Sequence, residues 1–300
     1  MFFMKEFIEN SGDVWPKRRS CGFKFVMCDA TKIEKLLERK FQGGHPVVMS
    51  SGRAGIAAAV GEFFRFENIK IFPFASQCVV DSILSKARFP ITPFDTSSLD
   101  ISYNQWGRYN HNLAEPPFLE DSVDSFYPVG AAVMRSGAQF ELWSTSKIFG
   151  LSYGAILWCK NRDDANLLRF KRDIKSFPLK YLRTILRRLS SFSRLAYIKW
   201  QKLEFLNLAL TRIEYGQIYT CILRWEELYL QRCDLFIKSV NRLNLGHTCK
   251  NLENEDVIPT IIEVPLAVEI DKTEGVRKLH RIVDSQEIRL IRVIPYQVKL

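Results

Sequence analysis

The sequence has no long apolar run. Its uncharged stretches reach 12 residues, as in Ile148–Cys159, against the roughly 20 that a helix needs to cross a bilayer, so a transmembrane helix is excluded. It has no CxxC pair. The seven cysteines, at 21, 28, 78, 159, 221, 233 and 249, are odd in number and irregular in spacing. That pattern argues against a zinc site and fits free thiols in a reducing cytoplasm. The four histidines (45, 111, 247 and 280) are scattered and read as structural or surface residues. The start, Met1–Glu6, places an acid early and lacks a small-residue cleavage site behind an apolar run, so it does not read as a secretory signal. There is no internal repeat and no low-complexity tract.

What the chain does have is a localised charge. It carries 43 Lys+Arg against 33 Asp+Glu, a net charge of +10 over 300 residues. The segment from Lys160 to Lys202 holds 13 basic and 3 acidic residues and so accounts for all of it, while the remainder has 30 of each sign. A confined patch argues against a general nucleic-acid binder. With Phe192, Tyr197 and Trp200 interleaved, it suits a solvated face, a nucleotide diphosphate or a membrane surface. An apolar content of 47% is that of a globular chain with a sizeable core.

From about residue 46 to 160 short apolar runs alternate with helical stretches. Pro46–Met49, Lys70–Pro73 and Phe89–Phe94 read as strands, with helices over Gly52–Phe64 and Val79–Lys86 between them. Further strands are expected at Ile101–Trp106, Phe118–Glu120, Phe140–Trp143 and Gly154–Trp158. The alternation implies an α/β fold with a mostly parallel sheet, whose ligands bind at the carboxyl ends of the strands. Helices are expected at Ala30–Lys40, Asp163–Lys175 and Tyr181–Arg194, and one or two more over Lys199–Leu243. Strands at Ile258–Val264 and Glu287–Pro295 around a helix at Lys272–Val283 suggest a small C-terminal α/β unit. The expected organisation is an N-terminal arm and helix (1–45), a large domain (46–165), a basic helical segment (166–255) and the small domain (256–300).

Three strand ends carry residues suited to chemistry. Ser50-Ser51-Gly52-Arg53-Ala54-Gly55 joins a strand to a helix, where free N–H groups make an anion site. It lacks the GK[ST] of a Walker loop and the GxGxxG spacing, and a plain Ser-capped turn fits as well. Leu119-Glu120-Asp121-Ser122-Val123-Asp124 places acids at the end of a strand, able to hold a metal or a cationic ring nitrogen, or to cap a helix. In Ser144-Thr145-Ser146-Lys147-Ile148-Phe149-Gly150 a lysine stands among apolar residues and small hydroxyls, where desolvation favours a nucleophilic amine. The S-x-x-K string of β-lactamases is also present, but their S-D-N and K-T-G elements are absent.

In this order the three elements resemble those of fold type I pyridoxal-phosphate (PLP) enzymes, particularly the DegT-like sugar aminotransferases, over roughly residues 30–160. The resemblance implies a three-layer sheet and a homodimer. It implies that Ser51, Gly52, Arg53, Ala54 and Ser144 bind the cofactor phosphate, that Asp121 pairs with the pyridine nitrogen, and that Lys147 forms the Schiff base. Asp124 falls where the sugar enzymes carry a Gln or similar group near the cofactor hydroxyl. Phe74, Ser76 or Gln77 would face the ring, and Asn104-Gln105-Trp106-Gly107 would line the site. The chain departs from the family in its short Gly-loop-to-Asp interval, in Arg53 replacing a small hydroxyl residue, and in lacking an Arg after the lysine. The implied function is a PLP-dependent aminotransferase acting on a keto-sugar nucleotide. Another PLP reaction (amino-acid transamination, decarboxylation or a lyase step) and a degenerate binding protein of the same fold are the alternatives.

Overall fold

The computed structural model describes residues 26–72, 75–95, 97–104, 113–151, 153–174, 179–190, 192–242, 257–259, 261–264, 276–283 and 286–293. The expected N-terminal arm before residue 26, Phe74, Gln105–Gly107, His111 and His247 lie outside them.

Helix α1 (Ala30–Lys40) starts at Asp29, whose side chain accepts the Lys32 N–H, and buries Ala30, Ile33, Glu34 and Leu37 along one face. Strand β1 (His45–Met49) follows and leads into α2 (Gly52–Phe63). Strand β2 (Asn68–Lys70), α3 (Gln77–Leu84) and β3 (Phe89–Ile91) form a parallel pair with a crossover helix. Then come β4 (Ile101–Tyr103), β5 (Leu119–Asp121), β6 (Ser125–Phe126), β7 (Phe140–Trp143), the short α4 (Thr145–Phe149) and β8 (Ala155–Cys159). The central sheet has the order β1-β8-β7-β5-β4. Strand β8 is antiparallel to both neighbours, β7 to β5 and β5 to β4 are parallel, and so every strand but β8 points the same way. A parallel bridge between Ile71 and Ile101 attaches the β2–β3 pair to the β4 edge.

Strand alternation divides the interior into two cores, one on each side of the sheet. Val48, Trp143, Ile156 and Trp158 face α1 and the later helices, with Phe41 and Trp225. Val47, Met49, Leu142, Ala155 and Leu157 face α2, whose alanines pack flat against them. The close packing of α2 requires Gly55, where a Cβ would stand 2.9 Å from the Leu142 side chain. The first core is aromatic. Phe41 meets Trp143 and Trp225 edge-on at 4.9 Å, and Tyr127 stacks on Trp143 at 4.7 Å. Two of its buried indole N–H groups are satisfied: Trp225 donates to the Tyr127 carbonyl at 2.8 Å and Trp143 to Glu141 at 2.6 Å.

After β8 the chain is helical: α5 (Arg162–Ile174), α6 (Leu179–Leu189), α7 (Arg194–Glu204), α8 (Arg212–Leu223) and α9 (Trp225–Arg242). The expected helix over Tyr181–Arg194 ends at Leu189, and α7 starts afresh at Arg194, capped by the Ser193 hydroxyl. The long stretch Lys199–Leu243 is likewise broken at 205–211 without Gly or Pro. There Thr211 and Glu214 form a capping box, and Asn207 bonds the Ala209 carbonyl. Side-chain to backbone bonds interrupt the helix in place of a breaker residue.

At the C-terminus β9 (Ile258–Pro259) pairs with β6, and β10 (Ile261–Val264), β11 (Val276–Val283) and β12 (Gln286–Val293) form an antiparallel sheet ordered β10-β12-β11. The helix expected over Lys272–Val283 is therefore strand from Val276 on. The register sets Val276 opposite Val293 and Leu279 opposite Leu290, so the backbone groups of this stretch pair across strands instead of within a helix.

Candidate active site at the carboxyl edge of the sheet

Because β1, β7, β5 and β4 point one way, their carboxyl ends deliver Ser50–Ser51, Ser144–Lys147, Asp121–Asp124 and Asn104 to a single edge of the sheet. Antiparallel β8 starts there, with Ala155 opposite Met49. The Gly154 N–H donates to the Ser50 carbonyl at 2.7 Å, and the Thr145 hydroxyl to the Tyr153 carbonyl at 2.9 Å. Gly154 has φ +89°, and a Cβ there would stand 2.3 Å from the Thr145 hydroxyl oxygen, so this turn requires glycine.

Lys147 is in α4, directly after β7. Its ammonium contacts both carboxylate oxygens of Asp124, at 3.0 and 3.1 Å. Asp124 is buried and also accepts the Tyr103 hydroxyl at 2.5 Å. Asp121, at the end of β5, is buried as well, and its bonded donor among the described residues is the Val123 N–H at 3.3 Å. Burial, opposed by Lys147 and reinforced by Asp124, pushes its carboxyl up to about 7. Ser144 stands at the N-cap position of α4, where its hydroxyl bonds that of Ser146 at 2.7 Å and not a backbone N–H. Ser51 caps α2 and accepts the Ala54 N–H at 3.2 Å. Beside it, a Cβ on Gly52 would meet only Leu142, at 3.6 Å.

Two of the expected cofactor-binding side chains are engaged elsewhere. The Arg53 guanidinium bonds Glu204 at 3.3 Å and the Cys78 sulfur at 2.9 Å, and lies over the Trp200 ring. Gln77 is exposed on α3 and donates to Asp81 at 2.8 Å. Ser76 is exposed at the start of the same helix. Asn104 turns to the other face of the sheet, bonding Glu120 at 2.5 Å and Ser122 at 2.8 Å.

The structure adds residues that spacing did not reveal. Arg232, on α9, is fully buried. Its guanidinium donates to the Ile148 carbonyl at 2.6 Å and reaches the Lys147 carbonyl at 3.4 Å, fixing the backbone that carries the lysine. Tyr103 completes the Tyr103–Asp124–Lys147 chain. Behind β5, the buried Glu141 is the register partner of Glu120 on β7. Burial and the nearby Glu120 push the Glu141 carboxyl up to about 7. No motif marks these contacts: Arg232 and Lys147 are 85 positions apart.

A family model described as "Putative PLP-dependent aminotransferase" matches residues 33–244. The chain belongs to this family of PLP-dependent aminotransferases. Among solved structures, the chain is similar to a putative PLP-dependent aminotransferase from Bacillus cereus ATCC 10987, with 11% identity and TM-score 0.50, over 74% of this chain and 65% of that one. The chain thus spans slightly less than two-thirds of that relative's length. It is also similar to 8-amino-7-oxononanoate synthase from Francisella tularensis (12% identity, TM-score 0.52, 97% of this chain and 87% of that one). A third likeness is to 3-amino-5-hydroxybenzoic acid synthase (12%, TM-score 0.51, 76% and 67%). At these identities the likenesses establish the fold, a fold type I α/β architecture. No curated protein matches the sequence.

The residues present fit the family's cofactor. A buried carboxyl with one long hydrogen bond among the described residues, Asp121, suits a cationic ring nitrogen, which would supply both a donor and a charge. The amine of Lys147, one-fifth exposed, is reachable by an aldehyde. The N-terminus of the 12-residue α2, with Gly52 open above it, suits a phosphate. Among the described residues no helix is long and apolar enough to cross a membrane, and no cluster of three or more His, Cys, Asp or Glu could hold a metal.

Proposed function

We propose that this chain catalyses PLP-dependent transamination, with an amino acid as donor and a keto-sugar nucleotide as acceptor, and that it works as a homodimer. The observation that carries the reading is the convergence of Lys147, Asp121 and Asp124 at one buried strand edge. When bound, PLP supplies an electron sink that stabilises negative charge on the carbon bearing the amino group.

The chain's own residues would do the rest. Lys147 would hold the cofactor and, once released from it, move a proton to and from the substrate carbon through Nζ. Asp124 neutralises the ammonium form of Lys147. When the lysine loses its charge, the Tyr103 hydroxyl still donates to Asp124, so the buried carboxylate is not left bare. Asp121 would face the ring nitrogen and keep it protonated. Ser51, Ser144 and the N–H groups of Gly52 and Arg53 would anchor the phosphate, the Ala54 N–H being held by Ser51. Arg232 keeps the Lys147–Ile148 backbone in place through the catalytic cycle.

Support for an anionic acceptor comes from Arg187, the basic-segment residue whose guanidinium lies 5.6 Å over the ring of Tyr153, in the turn after α4. Arg183 does not share that role, because it is buried against Glu214 at 2.7 and 2.8 Å. The decisive experiment is the visible spectrum of the purified protein with PLP, before and after adding glutamate. We expect a cofactor band that glutamate converts to the amine form and that Lys147→Ala abolishes. Arg187→Glu should weaken a nucleotide-bearing acceptor while leaving PLP uptake intact. A colourless protein that does not retain PLP would overturn the reading.

A further inference from the structure

An amine attacks an aldehyde or acyl carbon only when it is uncharged. The fold holds Lys147 in the opposite state. Its Nζ lies 3.0 Å from one carboxylate oxygen of Asp124 and 3.1 Å from the other, with the Asp124 side chain 1% exposed and that of Lys147 20%. A fully solvated ion pair of this length would do little, but a carboxylate removed from water depends on its cation. Tyr103 tightens the arrangement from another strand. Its hydroxyl donates to the Asp124 carboxylate at 2.5 Å, which orients the acid and favours its charged form. A charged Asp124 in turn favours a charged lysine.

The described groups around this pair come from four elements. Tyr103 is on β4, Asp121 ends β5, Lys147 is on α4, and Arg232 reaches in from α9. Arg232 donates to the Lys147 and Ile148 carbonyls, so it fixes the backbone that carries the ammonium. Asp121 bonds the Val123 N–H, and burial pushes its carboxyl up to about 7, so below that pH it offers the lysine little competing charge. We propose, on the reading of Lys147 as the cofactor lysine, that Asp124 and Tyr103 lock it as an ammonium in the cofactor-free protein and so shield it from stray aldehydes and acyl donors. Asp124 is the lock itself. Tyr103 is a positioning residue that acts through Asp124. A pair that served only to fasten α4 to the loop after β5 would hold the same geometry without governing the reactivity of Nζ, and that difference is measurable.

The test is acetylation of the cofactor-free, full-length protein by acetic anhydride at neutral pH. The lysine nitrogen forms a bond to one carbonyl carbon of the anhydride, acetate leaves, and the displaced proton goes to the buffer. Peptide mass spectrometry follows Lys147 against Lys238, whose solvated pair with Asp234 makes it the standard in every sample. We expect Asp124→Asn to speed Lys147 by about tenfold or more, because a part-buried ammonium without its anion gives up its proton more readily. Tyr103→Phe should speed it by a smaller factor, and Asp121→Asn should change it least. Should Asp124→Asn fail to fold by circular dichroism, Tyr103→Phe decides alone. Rates in the folded variants equal to or slower than the wild type overturn the lock, as does a larger gain from Asp121→Asn than from Asp124→Asn. The readout needs no PLP. A protein that retains PLP and shows equal rates has lost the lock alone, whereas one that does not retain PLP has lost the reading on which the lock rests.

Discussion

Glu120 and Asp121 are adjacent in sequence, both buried at the end of β5, and turned to opposite faces of one sheet. Glu120 is well supplied with donors: the amide of Asn104 at 2.5 Å and the hydroxyls of Ser122 and Ser136. Asp121 has one backbone N–H at 3.3 Å and a share in the field of a lysine that is itself bonded to Asp124. The first acid belongs to a finished polar network of the kind that fixes a core. The second is left short of partners at an edge where Lys147 waits, which is the state expected of a group whose proper counterpart arrives with a ligand. Equal burial therefore carries different meanings on the two faces, and the number of donors separates them.

The contrast can be broken most strongly at Asp121. Asp121→Asn should lower transamination about a thousandfold, through loss of the charge opposite the ring nitrogen, and yet stabilise the cofactor-free protein at neutral pH. The sign follows from proton linkage. A carboxyl ordinarily near 3.8 and held at about 7 in the fold favours the folded state below the lower value, and that advantage is lost as pH rises towards 7. The melting temperature of the variant minus that of the wild type should thus grow between about pH 4 and 7. A flat difference would show that Asp121 is ionised without penalty.

Glu120→Ala should do the opposite. It leaves Asn104, Ser122 and Ser136 without their acceptor and should cost about 3 kcal/mol of stability, measurable as a lower urea midpoint. PLP affinity should be little altered once the protein is folded. If Glu120→Ala removes PLP binding at full stability, the division between the two faces fails.

Tyr103→Phe probes Asp124, the acid that does have a counterion. Removing one donor to that buried carboxylate should cost about 1.5 kcal/mol. It should also shift the pH profile of kcat, since the Tyr103 hydroxyl then no longer shares the Asp124 carboxylate with Lys147. The smallest effect is expected for Glu141→Gln: within about 1 kcal/mol at neutral pH, with a flatter stability curve between about pH 4.5 and 7. That is the window over which the wild-type fold retains a proton that the unfolded chain has released.

Much of this was legible in the chain. The buried runs Pro46–Met49 and Phe140–Trp143, the Ser51 cap and the strand-end acid and lysine follow from local pattern, because strand alternation and helix capping act over a few residues. Other features were not legible. Seven-residue breaks such as 205–211 carry no Gly or Pro, and the strand Val276–Val283 has a sequence that a helix could also accept. The positive segment looked uniform in sequence. In the fold Arg183 is an interior ion pair, Arg187 lies over Tyr153, and Arg188 is exposed.

The sequence by itself determined the α/β alternation, the positions of Lys147, Asp121 and Ser51 at strand ends, and the confinement of charge to one segment. Tertiary structure alone decided that Lys147 bonds Asp124, that Arg53 serves Glu204, that Arg232 reaches across 85 positions to hold the lysine backbone, and that Arg183 is the buried side chain of α6. The physical reason is range. Capping and periodicity are settled between neighbours in the chain, whereas the partner of a buried charge is chosen by whatever the fold brings within about 3 Å of it.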